Sequence, residues 1–451
     1  MIDHERLVEL DRRHLWHPFT QMQGWLDDDP LIIERGEGAY LFDTRGRRYL
    51  DGVSSLWVNV HGHRKAEIDE AVRAQLDRVA HTTLLGLSSV PAIELAERLA
   101  SVAPPGLSRV FYSDSGSTAV EIAVKIAFQC WKQRGRPSKR QFLALGEAYH
   151  GDTIGSVSLG GMDLFHGIFQ PLLFPVLRAP EPYCYRCPLS RRPEECEMAC
   201  AREAERLIEA HAGELAAVVV EPIVQGAAGM IVQPPGWLRR VWDACRAHDV
   251  LFIADEVAVG FGRTGTLFAC EQEGVVPDLL CLAKGITGGY LPLAATLATE
   301  SVFEAFLGAY ESDRTFFHGH TYTGNPLACA AAIASLDLLE AEKTVEQVEP
   351  AAERLAAGLA PLGDHPHVGE IRQRGLMVGI ELVADRKTRA PFPRPLRMGH
   401  RAILEARRRG VILRPLSDVV VLMPPLCLSG AQIDELAAVT VASIEAATTG
   451  A

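Results

Sequence analysis

Two apolar runs in this chain end on residues able to do chemistry. LFIADE closes on Asp255 and Glu256, and LLCLAKG carries Lys284, 29 residues after Asp255. A third segment, SDSGSTAVE, sets Gly116, Ser117 and Thr118 at the start of a helical pattern. Each has a plain reading alone. An acidic pair after a strand caps a helix or faces solvent, and a lysine there is a surface lysine. The pair also looks like the Walker B strand of an ATPase. That chemistry needs a G-x-x-x-x-G-K-[ST] phosphate loop, and the sequence contains none. Taken together, the three segments meet the demands of pyridoxal phosphate: a lysine for a Schiff base, an acid beside the pyridine nitrogen, and an anion site. The small, apolar surround of Lys284 favours its neutral, nucleophilic amine. Helix-start amides at Gly116 and Ser117 point donors at a phosphate, helped by the helix dipole. Tyr149, in EAYHGDT, is an aromatic beside a turn, placed to stack on a ring or simply to fill the core.

Something must hold these groups together. FLALGEAY, AAVVVEP, LFIADE and LLCLAKG read as short buried strands, and helical patterns at 200–212 and 236–248 separate several of them. Strand alternating with helix predicts an α/β fold whose mostly parallel sheet is covered on both faces. Functional residues then belong at the C-terminal strand ends. Runs flanking Thr44-Arg45-Gly46 predict a hairpin. A long helix is expected from about Ser115. Beyond 330 come helical runs at 326–340 and 345–360, the segment VGEIRQRGLMVGIELV, a helix near 396–409, GVILRPL, VVVLMPPL and a last helix near 431–446. The division expected is an N-terminal segment, 1–60, that joins a small domain; a large cofactor domain, 61–330, with a cysteine-containing insert at about 181–200; and a small α+β domain, 331–451.

The ordered segments SDSGSTAVE, YHGDT, EPIVQGAAGM, IADEVAVGFGRTG, CLAKGITGGY and HGHTYTGNP resemble the class III aminotransferases, pyridoxal-phosphate enzymes of fold type I, over essentially the whole chain. WHPFTQM, DGVSSLWVNVHGH, GFGRTGTLFACE and VILRPL sharpen the likeness to the biotin-pathway branch that acts on 8-amino-7-oxononanoate. The resemblance implies that Lys284 is the Schiff-base lysine and proton shuttle. Asp255 holds the pyridine nitrogen, Tyr149 packs over the ring, and Gly116 and Ser117 bind the phosphate. His320 and Thr321 complete that phosphate site from the partner subunit, so a homodimer with shared sites is implied. Trp57 walls the substrate pocket, Gly319 lines the cleft, and Arg414 takes the far carboxylate as a bidentate pair. Glu221 lies near the cofactor, and Arg263 near the donor end.

The amino donor implied is S-adenosylmethionine, with L-lysine as the alternative. Phe19 stands in HPFT where S-adenosylmethionine users carry tyrosine, Leu56-Trp57 replaces a Trp pair, and the turn reads HGHT. Other readings are a different class III ω-amino acid transaminase, a pyridoxal-phosphate decarboxylase, or a non-catalytic scaffold that binds the cofactor.

The chain has 451 residues, 48% hydrophobic and 23% charged, with a formal net charge of −12. That balance argues against nucleic acid as a partner. The charged N-terminus and the lack of a long apolar stretch argue against a signal peptide or membrane span and for the cytoplasm. Cys184, Cys187, Cys196 and Cys200 follow C-x2-C-x8-C-x3-C. A structural zinc, disulfides and free thiols all stay open for them. The chemistry itself needs no metal.

Overall fold

The computed structural model describes residues 3–450. The N-terminal strands are β1 (Ile33–Glu37), β2 (Tyr40–Asp43) and β3 (Arg48–Asp51). Strands β2 and β3 form the hairpin around Thr44-Arg45-Gly46. Next come β4 (Leu107–Ser113), β5 (Gln141–Leu145), β6 (Leu177–Ala179), β7 (Leu215–Val220), β8 (Val224–Gln225), β9 (Ile231–Val232), β10 (Leu251–Asp255), β11 (Leu279–Leu282) and β12 (Ala294–Thr299). The last third holds β13 (Val368–Arg374), β14 (Met377–Leu382), β15 (Val411–Ile412), β16 (Arg414–Leu416) and β17 (Val419–Leu422).

Seven strands form the central sheet in the order β4-β12-β11-β10-β7-β5-β6. Strands β11, β10, β7, β5 and β6 run parallel to one another. β12 alone runs antiparallel, between β4 and β11. All six residues of β7, LAAVVV, are buried. A parallel strand covered on both faces has no polar side to show, so its sequence is one apolar run.

The helix Gly116–Gln133 covers one face of the sheet. It starts where Ser115 and Thr118 cap each other: the Thr118 amide donates to Ser115 Oγ, and the Ser115 amide to Thr118 Oγ1. Its inner face buries Val120, Ile122, Ala123, Ala127 and Trp131 against the strands. Trp131 Nε1 donates to the Ala216 carbonyl at 2.8 Å, which satisfies the one polar atom of that buried ring.

Strands β13-β14-β17-β16 make a second, antiparallel sheet. A third sheet draws on both ends of the chain, because β15 pairs in parallel with β3. Among the described residues no helix is long and apolar enough to cross a membrane.

Candidate functional site

Parallel strands that start at one edge of a sheet end at the other, and the chemistry collects there. Asp255 is the last residue of β10, Glu221 follows β7, Lys284 lies two residues past β11, and Tyr149 follows β5. These four, with Trp57, Gly116 and Ser117, line one cavity of about 400 Å³. Lys284 holds a left-handed backbone, φ 44°, a strained state for a residue with a side chain. Its Nζ stands 5.4 Å from the centre of the Trp57 ring. Burial lowers the Lys284 pKa; the charges of Asp255 and Glu221 oppose that, and Arg263 adds to it.

Asp255 is 4% exposed and meets a second buried residue, His150, through Oδ2 and Nδ1 at 2.7 Å. Asp255 Oδ1 accepts from the Val257 amide at 3.1 Å. The outer nitrogen of His150, Nε2, is buried without a partner among the described residues. His150 stands in the YHGDT segment, yet nothing in its spacing gave it a task; only the folded geometry places it on Asp255. Glu221 accepts from the Tyr149 amide at 3.1 Å and the Gly226 amide at 2.9 Å. Burial raises its pKa to about 7; Asp255 adds to the rise, while His150 and the two amides hold it back.

The Tyr149 hydroxyl donates to Asp152 at 2.7 Å, and its ring stacks on His166 with centroids 6.1 Å apart. Burial raises the Tyr149 pKa, and Asp152 adds to it, so the phenol stays protonated. At the helix start, a Cβ added to Gly116 would fall 2.5 Å from Val257 Cγ1, and one added to Gly151 would fall 2.0 Å from Ser117 Oγ. Glycine is required there because the helix start and two strand-end loops converge. The bare helix-start amides, the buried carboxylate and the buried amine fit the phosphate, ring nitrogen and aldehyde of pyridoxal phosphate.

Trp57 follows β3 in a strained segment where Ser54, Ser55 and Trp57 all have positive φ. Asp51 holds that segment: Oδ1 accepts from the Ser55 amide at 2.8 Å and Oδ2 from its hydroxyl at 3.1 Å.

Six expected residues do not line the cavity. Arg414, in β16, is half-buried, and burial lowers its pKa. Phe19 is 58% exposed and reaches the site through Phe165, whose ring packs edge-on against both Phe19 and Tyr149. Arg263 is 1% exposed and donates to the backbone carbonyls of Pro424 and Asn59. Gly319 and Thr321 are exposed. His320 Nδ1 lies 2.9 Å from Asp114 Oδ2, without the alignment of a hydrogen bond. The thiols of Cys184, Cys187, Cys196 and Cys200 are half-buried and unpaired, and among the described residues no group of three or more His, Cys, Asp or Glu is arranged to hold a metal.

A lysine, a buried acid and a glycine-opened helix start, gathered at the C-terminal edge of a mostly parallel sheet, define an enzyme of the pyridoxal-phosphate transferase class. The family model of the class-III aminotransferases matches residues 23–444. The chain belongs to that pyridoxal-phosphate-dependent family. It is 66% identical over 433 residues to the adenosylmethionine-8-amino-7-oxononanoate aminotransferase of Nitratidesulfovibrio vulgaris, spanning 96% of this chain and 80% of that one. The crystal structure of the protein of that name from Methanocaldococcus jannaschii superposes with a TM-score of 0.95 at 44% identity, over 99% of this chain and 100% of the other. An amine transaminase from an uncultivated Pseudomonas species, solved in its PLP-bound form, gives a TM-score of 0.92 at 38% identity, over 96% and 98%.

Proposed function

We propose that the chain transfers an amino group to 8-amino-7-oxononanoate, giving 7,8-diaminononanoate for biotin formation, with S-adenosylmethionine as donor. The observation that carries the site assignment is the convergence of Lys284, Asp255, Glu221 and Tyr149 on one cavity. Relatives named for this reaction support the substrate. The same names favour S-adenosylmethionine over L-lysine, although Phe19 offers no hydroxyl. The working unit is a cytoplasmic homodimer, of a large domain at 61–330 and a small one at 331–451 joined by residues 1–60.

Bound pyridoxal phosphate supplies an electron sink for the carbon that loses its proton. Lys284 Nζ would take that proton from the substrate carbon and return it to the carbon on the other side of the transferred nitrogen; burial, which lowers its pKa, favours the neutral amine this needs. Asp255 would hold the ring nitrogen, and His150 fixes the rotamer of Asp255. The amides of Gly116 and Ser117 would hold the phosphate, with His320 and Thr321 of a second copy completing its site. Tyr149 and Trp57, which line the cavity, would flank the ring and substrate. Arg414 receives the carboxylate, with its charge unspent on any carboxylate among the described residues. Phe19 and Gly319 border the cleft. Arg263 acts from behind, as a fixed cation that lowers the lysine pKa.

Each donor is offered separately with 8-amino-7-oxononanoate, and product is read by mass. Turnover with S-adenosylmethionine and none with L-lysine is expected; the reverse overturns the donor. Carbon dioxide release without diamine would make the chain a decarboxylase. Borohydride reduction followed by peptide mapping must place the cofactor on Lys284.

A further inference from the structure

Behind the cavity, a buried arginine of the second sheet grips a turn of the first domain. Arg372, in β13, is 6% exposed. Its Nη1 donates to Glu381 at 2.6 Å, and to Glu370 and the Tyr183 hydroxyl at 2.7 Å each. Arg186, from the cysteine-bearing insert, also binds Glu381. The other side of the guanidinium faces one backbone atom: Nη2 and Nε donate to the Gly229 carbonyl at 2.7 and 3.1 Å.

Gly229 belongs to the turn that links β8 to β9, and the Gly229 and Met230 amides both donate to the Gly226 carbonyl. The turn's near end is part of the site. The Gly226 amide holds Glu221, Ala227 lines the cavity, and a Cβ on Gly226 would sit 3.4 Å from the Trp57 ring. Its far end is fitted to the second sheet. Gly229 has φ +96°, and a Cβ on Gly379 would lie 2.5 Å from the Gly229 carbonyl oxygen.

We propose that Arg372 is a positioning residue that, through the 226–230 turn, sets Glu221 and the Trp57 wall of the cofactor cavity. The guanidinium fork reaches a carboxylate on one side and a carbonyl on the other, which a single ammonium cannot do. Charge balance and turn position are therefore separable functions of one side chain. The proposal rests on the reading of Lys284 as the cofactor lysine, since Glu221 acts on the proton affinity of that lysine.

The test uses Arg372→Lys holoenzyme. Lysine keeps a cation against Glu381 but releases the Gly229 carbonyl. The pH midpoint of the lysine-bound cofactor absorbance should fall by roughly half a unit, because a displaced Glu221 supports the charged lysine less. KM for 8-amino-7-oxononanoate should rise about fivefold as the Trp57 wall shifts. Amide exchange at Gly226 and Met230 should quicken about tenfold. Gly379→Ala presses on the same carbonyl without touching a charge, and should move the midpoint in the same direction. Arg240→Ala, which breaks an ion pair with Glu205 elsewhere on the large domain, should lower Tm and leave the midpoint alone. If Arg372→Lys lowers Tm while midpoint, KM and amide exchange stay at wild-type values, Arg372 is structural only and the proposal falls. If borohydride mapping in the wild type fails to find the cofactor on Lys284, the cofactor reading falls instead, and amide exchange in the apo-protein decides whether Arg372 holds the turn.

Discussion

Replacing Gly116 by alanine should separate cofactor binding from folding. The new Cβ would stand 2.5 Å from Cγ1 and 3.2 Å from Cγ2 of Val257. Carbon atoms rest at about 3.5–4.0 Å, so the helix start and the loop after β10 must part by about 1 Å. That loop carries Asp255, whose Oδ1 accepts from the Val257 amide. The helix-start amides and Asp255, proposed to hold the phosphate and the ring nitrogen, would therefore move apart. Crowding of this kind costs about 1–3 kcal/mol. Alanine in place of glycine in the first helical turn returns up to about 1 kcal/mol, so the apo-protein loses little stability. Turnover suffers more: a 1 Å misplacement of reacting groups costs on the order of a hundredfold. Cofactor affinity, titrated by absorbance, should drop about tenfold or more while the apo melting temperature shifts by only a few degrees. Adding Val257→Ala removes both clashing methyls and should restore affinity, giving a coupling energy that a double-mutant cycle reads directly. Gly116→Ala with wild-type affinity and turnover, or a double variant no better than the single, would refute the reasoning.

Arg414→Ala should raise KM for 8-amino-7-oxononanoate about thirtyfold, the equivalent of about 2 kcal/mol for a charged hydrogen-bond pair, and leave the half-reaction with the donor unchanged; stopped-flow of each half-reaction separates the two. Glu221 titrates at about 7 in the fold against 4.5 ordinarily. Its pKa is raised, so its contribution to stability is full below about pH 4.5 and is lost as the pH rises through about 7. Glu221→Gln should flatten that part of the apo-protein's melting profile, and an unchanged pH slope would count against the burial of this carboxyl. Under native conditions, alkylation should label Cys184, Cys187, Cys196, Cys200 and Cys427 before the five buried cysteines, Cys130, Cys245, Cys270, Cys281 and Cys329. Mass mapping over time checks the order.

The strands that carry Asp255 and Lys284 were legible because a strand buried on both faces writes an unbroken apolar run, and a charge at its end stands out. β12 was not legible. Its sequence, AATLAT, is half alanine, with neither the length nor the bulk of a marked apolar run, and no periodicity says which way a strand runs. Arg263 and Arg372 show the same limit from the polar side. The letters show a charge, and only packing shows whether it faces a ligand or a carbonyl. Arg263 read as a pocket residue and spends itself on Pro424 and Asn59. Arg372 drew no assignment from the sequence and lies buried at a junction. His150 was visible, but its pairing with Asp255 joins residues 105 apart in the chain.

The sheet shared by β3 and β15 has a consequence for the order in which the molecule is made. β3 ends at Asp51, and its parallel partner begins at Val411. At about 5–20 residues per second, the ribosome needs on the order of tens of seconds between delivering the two. Through that interval the hairpin of β2 and β3 has an open edge, and the segment bearing Trp57 lacks its Ser54 tie to the Met423 carbonyl. Trp57, which lines the cavity, is thus among the first residues synthesised and among the last fixed. A nascent chain released before residue 411 would carry a finished central sheet and an unfinished pocket.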